Sequence, residues 1–105
     1  MNSPTSRSLG LMRSRGFPLV QVVEKWIPQA RKRVDLFGFI DILCVSADGS
    51  VVALQTTSAS NVSARIHKIT DSASLALLRK AGWTITVHGW AKRKGRWQVR
   101  EVDIS

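Results

Sequence analysis

The sequence predicts an α/β domain over residues 1–105, and three patterns carry that prediction. Two apolar runs, residues 35–45 and 51–57, are rich in β-branched residues and are joined by Ala47-Asp48-Gly49, as the strands of a hairpin would be. Val62, Ile66, Ile69, Ala73, Ala76 and Leu77 then recur at helical spacing. Near the end, residues 83–90 and 96–104 alternate between apolar and polar around a basic tip, which predicts two more strands.

Each element has its own local reasons. Ser3-Pro4 supplies an N-cap and a proline at the first helical position, and Gly16 supplies a stop, so a short basic helix is expected between them. Residues 18–26 read as one strand, with Val20, Val22, Glu24 and Trp26 on one side. Residues 27–33 read as a loop carrying three consecutive cations, Arg31, Lys32 and Arg33. Ser58-Ala59-Ser60-Asn61 opens the second helix, and Thr70-Asp71-Ser72 either interrupts it or caps another that ends at Ala81-Gly82. Cys44, the single cysteine, reads as a small core residue in a reducing compartment.

The residue that does not belong is Asp41, in the middle of Phe-Ile-Asp-Ile-Leu. A buried charge costs several kcal/mol or more unless it is paired, hydrogen-bonded or bound to a metal, roughly what burying two large apolar side chains returns. Gln55 raises the same question on the neighbouring strand. A two-residue loop at Asp48-Gly49 would put Asp41 opposite Thr56. A three-residue loop with Gly49 in the left-handed region pairs 46 with 50 and puts Asp41 opposite Gln55, with Thr57 on the same face. The second register is the expectation, because it gathers the lone polar groups of two greasy strands into one cluster. Asp35, six residues before Asp41, would lie ~20 Å away along an extended strand, too far to share a cation unless Gly38 bends the chain back.

An aspartate ending a Gly-x-x-Asp run, a hairpin, and an apolar strand closing on polar-x-polar resembles the core of the PD-(D/E)xK nuclease superfamily, in particular its small Holliday-junction resolvase and VRR-type branches. The resemblance implies a restriction-endonuclease-like αβββαβ core, a mixed sheet flanked by helices, here with an extra C-terminal strand. It implies a Mg²⁺- or Mn²⁺-dependent endonuclease acting on DNA phosphodiester bonds, branched DNA among them, and a homodimer. By position Asp41 corresponds to the family's metal-binding aspartate, Gln55 to its second acid and Thr57 to its lysine. Glutamine still offers a carbonyl oxygen to a hard cation. Threonine lacks the lysine's charge, and Lys68 or Arg65 on the second helix is then the substitute. Glu24 is a further candidate ligand if it leans toward Asp41, and otherwise a strand acid paired with a nearby cation.

Charge agrees with a polyanionic partner. Lys and Arg number 16 against 7 acids, a net +9, and the pI is about 11.2. Arg31, Lys32, Arg33, Arg65 and the tip residues Lys92, Arg93, Lys94 and Arg96 are the expected nucleic-acid contacts, with Trp90 and Trp97 flanking that tip either as stacking platforms or as hairpin residues. No apolar run reaches the ~20 residues of a membrane span, and the first residues lack a signal peptide's apolar stretch. A cytoplasmic location is therefore expected. His67 has no ligand spacing to Cys44 or His88, which argues against zinc. Three classes stay open: a metal-dependent nuclease, a nuclease-like fold that binds DNA with weakened or lost chemistry, and an unrelated basic RNA-binding or assembly protein.

Overall fold

The computed structural model describes residues 3–105; Met1 and Asn2 lie outside the described residues. In chain order the elements are α1 (Pro4–Ser14), β1 (Leu19–Val22), β2 (Lys25–Ile27), β3 (Lys32–Val34), β4 (Ile42–Val45), β5 (Val51–Ser58), α2 (Val62–Thr70), α3 (Ala73–Lys80), β6 (Thr84–Arg93) and β7 (Arg96–Asp103). A 3-10 turn, Ala59–Asn61, leads into α2. Five strands form one mixed sheet in the order β1-β4-β5-β6-β7, antiparallel except for the parallel pair β5–β6 that α2 and α3 bridge. Strands β2 and β3 form a separate antiparallel ribbon. No helix among the described residues is long and apolar enough to cross a membrane.

Alternation along β5 sorts the core into two layers. Ala53 packs with Val62, Ile69, Leu75, Leu78, Ile85 and Val87 beneath α2 and α3. Leu54 packs with Met12, Ile42 and Cys44 beneath α1. β5 is thus covered on both faces, which is why its sequence is nearly continuous in apolar residues until Gln55.

The expected helix start and stop at the N-terminus are present: the Ser3 side chain accepts from Ser6 N–H in a capping box, and Gly16 adopts φ +86° after Ser14 ends the helix. The three-residue β4–β5 loop is present too. Gly49 has φ +89°, Ser46 N–H donates to Ser50 O at 2.9 Å, and the ladder runs Val45↔Val51 to Ile42↔Leu54. The Asp48 carboxylate accepts from the Ser46 hydroxyl and the Ser50 N–H, and these bonds pull its pKa down to about 2.

Three expectations need correction. Residues 18–26 are not one strand: the chain leaves the sheet after Val22, and residues 25–27 pair instead with 32–34, so the predicted basic loop is the arm and tip of a ribbon. Residues 35–40 are not strand but a tight turn, with Phe37 and Gly38 at φ +53° and +88°. The apolar stripe of the second helix holds for Val62, Ile66 and Ile69 but not beyond. Asp71 ends α2, Ser72 caps α3 by accepting from Ser74 N–H, and the restart changes the phase. Leu75 and Leu78 therefore face the core, while Leu77 is 70% exposed.

α1 is pinned to the far strands by a buried polar chain. Trp90 Nε1–H donates to Ser8 Oγ at 2.8 Å, and Ser8 Oγ lies 2.9 Å from His88 Nδ1, which accepts from the hydroxyl when the neutral ring keeps its proton on Nε2 facing Glu101. His88 Nε2 lies 3.1 Å from Glu101, which in turn takes a bidentate pair from Arg15 at 2.6 and 2.8 Å. Ser8 and His88 are 0% and 1% exposed. The serine and histidine are sealed from any substrate, and with the exposed Arg15–Glu101 pair they act as a structural tie. Burial is the main force lowering the His88 pKa, so the neutral ring is the folded form.

Close packing of β6 on the 3-10 turn depends on Gly89. A Cβ there would lie 2.2 Å from Val62 Cγ2 and 3.0 Å from Ala59 Cα. Gly89→Ala is expected to destabilise by about 1–3 kcal/mol in urea unfolding, whereas Gly10→Ala, exposed on α1 with open space around it, is expected to stabilise by roughly 0.5–1 kcal/mol. Equal effects at the two sites would contradict this packing.

Candidate functional site

The site forms where β4 begins and β5 ends, between the first turn of α1 and the outer side of α2. Thr5, Glu24, Arg33, Asp35, Asp41, Gln55, Thr56, Arg65 and Lys68 line a cleft there of about 330 Å³. Asp41 directly precedes β4 and is 4% exposed. Its backbone is locked on both sides, since its N–H donates to Leu54 O and its carbonyl accepts from Val23 N–H, each at 2.8 Å.

The carboxylate of Asp41 is held from β5. Oδ2 accepts from Gln55 Nε2 and Thr56 N–H, each at 2.8 Å, and from Thr56 Oγ1 at 3.2 Å. Thr56 Oγ1 in turn sits 2.8 Å from Thr5 Oγ1 on α1. Bonds to a charged acceptor are worth about 1.5–3 kcal/mol each, so three of them are of the same order as the cost of burying the charge. The balance tips toward the neutral acid. Burial first, and then the charges of Asp35 and Glu24, push the Asp41 pKa up to about 7 against the opposing Thr56 N–H bond.

Asp35 and Glu24 arrive from the ribbon. Glu24 immediately precedes β2, and Asp35 immediately follows β3. The turn through Phe37 and Gly38 doubles the chain back, with Leu36 bridging to Ile40, and returns Asp35 to Asp41. One oxygen from each of Glu24, Asp35 and Asp41 lies within 4.8 Å of the other two. Cations balance two of these acids: Arg33 donates to Glu24 at 3.0 Å, and Lys68 Nζ is 4.0 Å from Asp35.

Gln55 supplies the observation that distinguishes this cleft from an ordinary acidic cluster. Its Nε2 is used by Asp41, but its buried Oε1 has no hydrogen-bond partner. An orphaned buried carbonyl costs about 1–3 kcal/mol, a cost that a bound cation or water would offset. Three carboxylates and a neutral amide oxygen are the donor set of a hard divalent cation. Ligand oxygens around Mg²⁺ stand about 3–4 Å apart, so the acids would need only a small contraction. The residues fit such an ion.

Asp41, Gln55, Glu24 and Lys68 from the sequence therefore meet in the cleft, joined by Arg33 and Arg65. Asp35, expected to be remote unless Gly38 bent the chain back, is a member of the acid cluster because that bend is present. Thr57 is not: it is buried on β5 opposite Gly89 and does not line the cleft. Arg31 and Lys32 are exposed on the ribbon, and Lys92, Arg93, Lys94 and Arg96 are exposed at the β6–β7 tip. Trp90 is unavailable as a stacking platform because it is buried against Ser8, and Trp97 carries the Arg7 guanidinium 3.5 Å from its ring centroid. The hydrogen bonds of Thr5 and Thr56 were not anticipated, and Asp35 was only a secondary candidate. For Asp35 the signal existed: Asp-Leu-Phe-Gly has the aspartate and glycine that favour a β-turn, and Gly38 N–H does donate to Asp35 O at 3.1 Å.

The raised pKa of Asp41 makes stability depend on pH in a stated direction. Below the ordinary value of 3.8 the group is protonated folded or unfolded, and well above 7 it is charged in both states. Between these limits the fold holds a proton that the unfolded chain releases, so its contribution to stability falls as pH rises through that window. Asparagine keeps an oxygen for the same donors and removes the charge. In chelator, Asp41→Asn is expected to be the more stable protein at pH 8 by about 1–3 kcal/mol, with the advantage vanishing near pH 4, as read by urea unfolding of both proteins. A wild type more stable than the variant at pH 8 would contradict this.

No family model, curated protein or solved structure matches the chain. What the protein does must be read from the cleft itself.

Proposed function

We propose that the protein is a metal-dependent DNA endonuclease of the PD-(D/E)xK type. The observation that carries this reading is the orphaned Gln55 Oε1 in a cleft that also gathers Glu24, Asp35 and Asp41. Those four residues would hold Mg²⁺ or Mn²⁺. The ion, when bound, would supply Lewis-acid charge where negative charge develops on the scissile phosphate.

The chain's own residues do the rest. Arg65 and Lys68, one helical turn apart on α2, present cations at the cleft and receive the phosphate backbone. Lys68 takes the part that Thr57 cannot, because it reaches the acids from α2 while Thr57 lies outside the cleft. Arg33 is held on Glu24 and would be free to meet phosphate if that acid held the ion instead. Asp41 must be ionised to act as a ligand, so metal affinity is expected to rise with pH as that proton is given up. A branched duplex offers two equivalent arms, which two copies of the chain would take one each.

A second reading has its own support. Arg33 and Lys68 already balance Glu24 and Asp35, so the cleft can stand as a neutralised, DNA-binding surface with no chemistry. Incubation of linear, flapped and four-way-junction DNA with Mn²⁺ or Mg²⁺ separates the two. The nuclease reading predicts metal-dependent cleavage that Asp41→Asn reduces at least ~100-fold and that Lys68→Ala also lowers, with binding in chelator retained. Binding without cleavage on every substrate, in either metal and at pH 8, would leave the second reading.

A further inference from the structure

The ribbon β2–β3 stands outside the five-stranded sheet, and its two roots are the cleft acids Glu24 and Asp35. Its register pairs Trp26 with Arg33, flanked by Lys25↔Val34 and Ile27↔Lys32. Directly opposed residues share a face and successive residues alternate, so Trp26 and Arg33 occupy one side and Lys25, Ile27, Lys32 and Val34 the other. Arg33 donates to Glu24 and lines the cleft, which makes Trp26's side of the ribbon the side nearer the cleft. The indole is 53% exposed there. Among the described residues no ring or cation stacks on it, in contrast to Trp97 beneath Arg7.

A tryptophan that only stabilised its hairpin would pack on its cross-strand partner, but Arg33 is turned to Glu24 instead. What remains is an exposed aromatic side chain near a cleft where Arg33, Arg65 and Lys68 stand among the three acids, on an arm that also carries Lys25, Lys32 and, at its tip, Arg31. Positive charge along the arm selects a polyanion, and the flat indole selects a flat apolar surface within it. In a duplex the base faces are already stacked on one another, and only edges and backbone are offered. A free base face exists where a nucleotide is unpaired.

We propose that Trp26 is a stacking platform for an unpaired base of a nucleic acid whose adjoining phosphate lies in the cleft. The preferred ligand is then DNA with a single-stranded flap, gap or splayed junction nucleotide, not continuous duplex. This rests on the nucleic-acid reading of the cleft and adds the class of DNA structure it takes. Arg33 and Lys32 hold the backbone on either side of the ribbon, and Trp26 distinguishes paired from unpaired.

The test measures binding of the full chain in chelator, so that cleavage plays no part, to a blunt DNA duplex and to the same duplex carrying an unpaired flap. Wild type is expected to prefer the flapped probe. Trp26→Ala is expected to lose about ten-fold on the flapped probe while staying within about two-fold on the blunt one, and Trp26→Phe to recover most of the loss. Lys32→Ala should weaken both probes alike. Equal losses on both probes for Trp26→Ala, or no loss on either, would overturn the platform while leaving the cleft reading intact. A wild type that binds neither probe would overturn both together. Trp26 is exposed, so circular dichroism of the variants should match wild type.

Discussion

One contact organises this molecule: the Asp41 carboxylate gripped through a single oxygen by the side chain of Gln55 and the backbone and hydroxyl of Thr56. It is a costly thing to build inside a sheet. The bonds offset the burial of charge only in part, and two further acids nearby leave Asp41 poised at a pKa of about 7. A protein selected for stability alone would place a leucine or valine there, since a buried polar network seldom outperforms an apolar packing of the same volume. The expense is intelligible if the carboxylate serves a ligand, and it follows the general pattern in which functional sites are held against the stability of the fold.

The surrounding architecture explains how that contact is kept in place. β4 and β5 set the register that puts residue 41 opposite 55, and both strands are central, flanked by β1 and β6. α1 presents Thr5 to Thr56, and its orientation is fixed at the other end by the Ser8, His88, Glu101 and Arg15 chain. α2 is drawn close to β6 at Gly89, where only a missing side chain leaves room for Val62, and it thereby delivers Arg65 and Lys68 to the cleft. The ribbon contributes the remaining acids. Each of the four walls comes from a different part of the chain, and none of them is a motif by itself.

How far the sequence foretold this can be traced residue by residue. Gly49 made the β4–β5 register legible, because a three-residue loop needs a left-handed residue at its end, and the register in turn paired Asp41 with Gln55. Ser3, Pro4 and Gly16 made α1 legible for similar local reasons. Asp35 was not legible as a cleft acid from hydrophobic pattern. Leu36, Phe37, Phe39 and Ile40 look like strand, and the turn that folds them back requires Phe37 in a left-handed conformation that non-glycine residues seldom adopt. The separation of β2 from β1 was hidden because Val20 to Ile27 are rich in β-branched and aromatic residues with no Gly or Pro to mark a break, and only the pairing with residues 32–34 pulls the later ones away. Thr57 shares its strand face with Gln55, as periodicity requires, but is buried and does not line the cleft.

The proposed divalent cation would sit among the unpartnered oxygen of Gln55 and the three nearby carboxylates. Paramagnetic broadening by Mn²⁺, followed by nuclear magnetic resonance at substoichiometric metal, tests this directly. The Gln55 side-chain amide and the Thr56 backbone N–H are expected to broaden first, and Asp41→Asn to remove the effect. Broadening that starts elsewhere, or that persists unchanged in the variant, would contradict it.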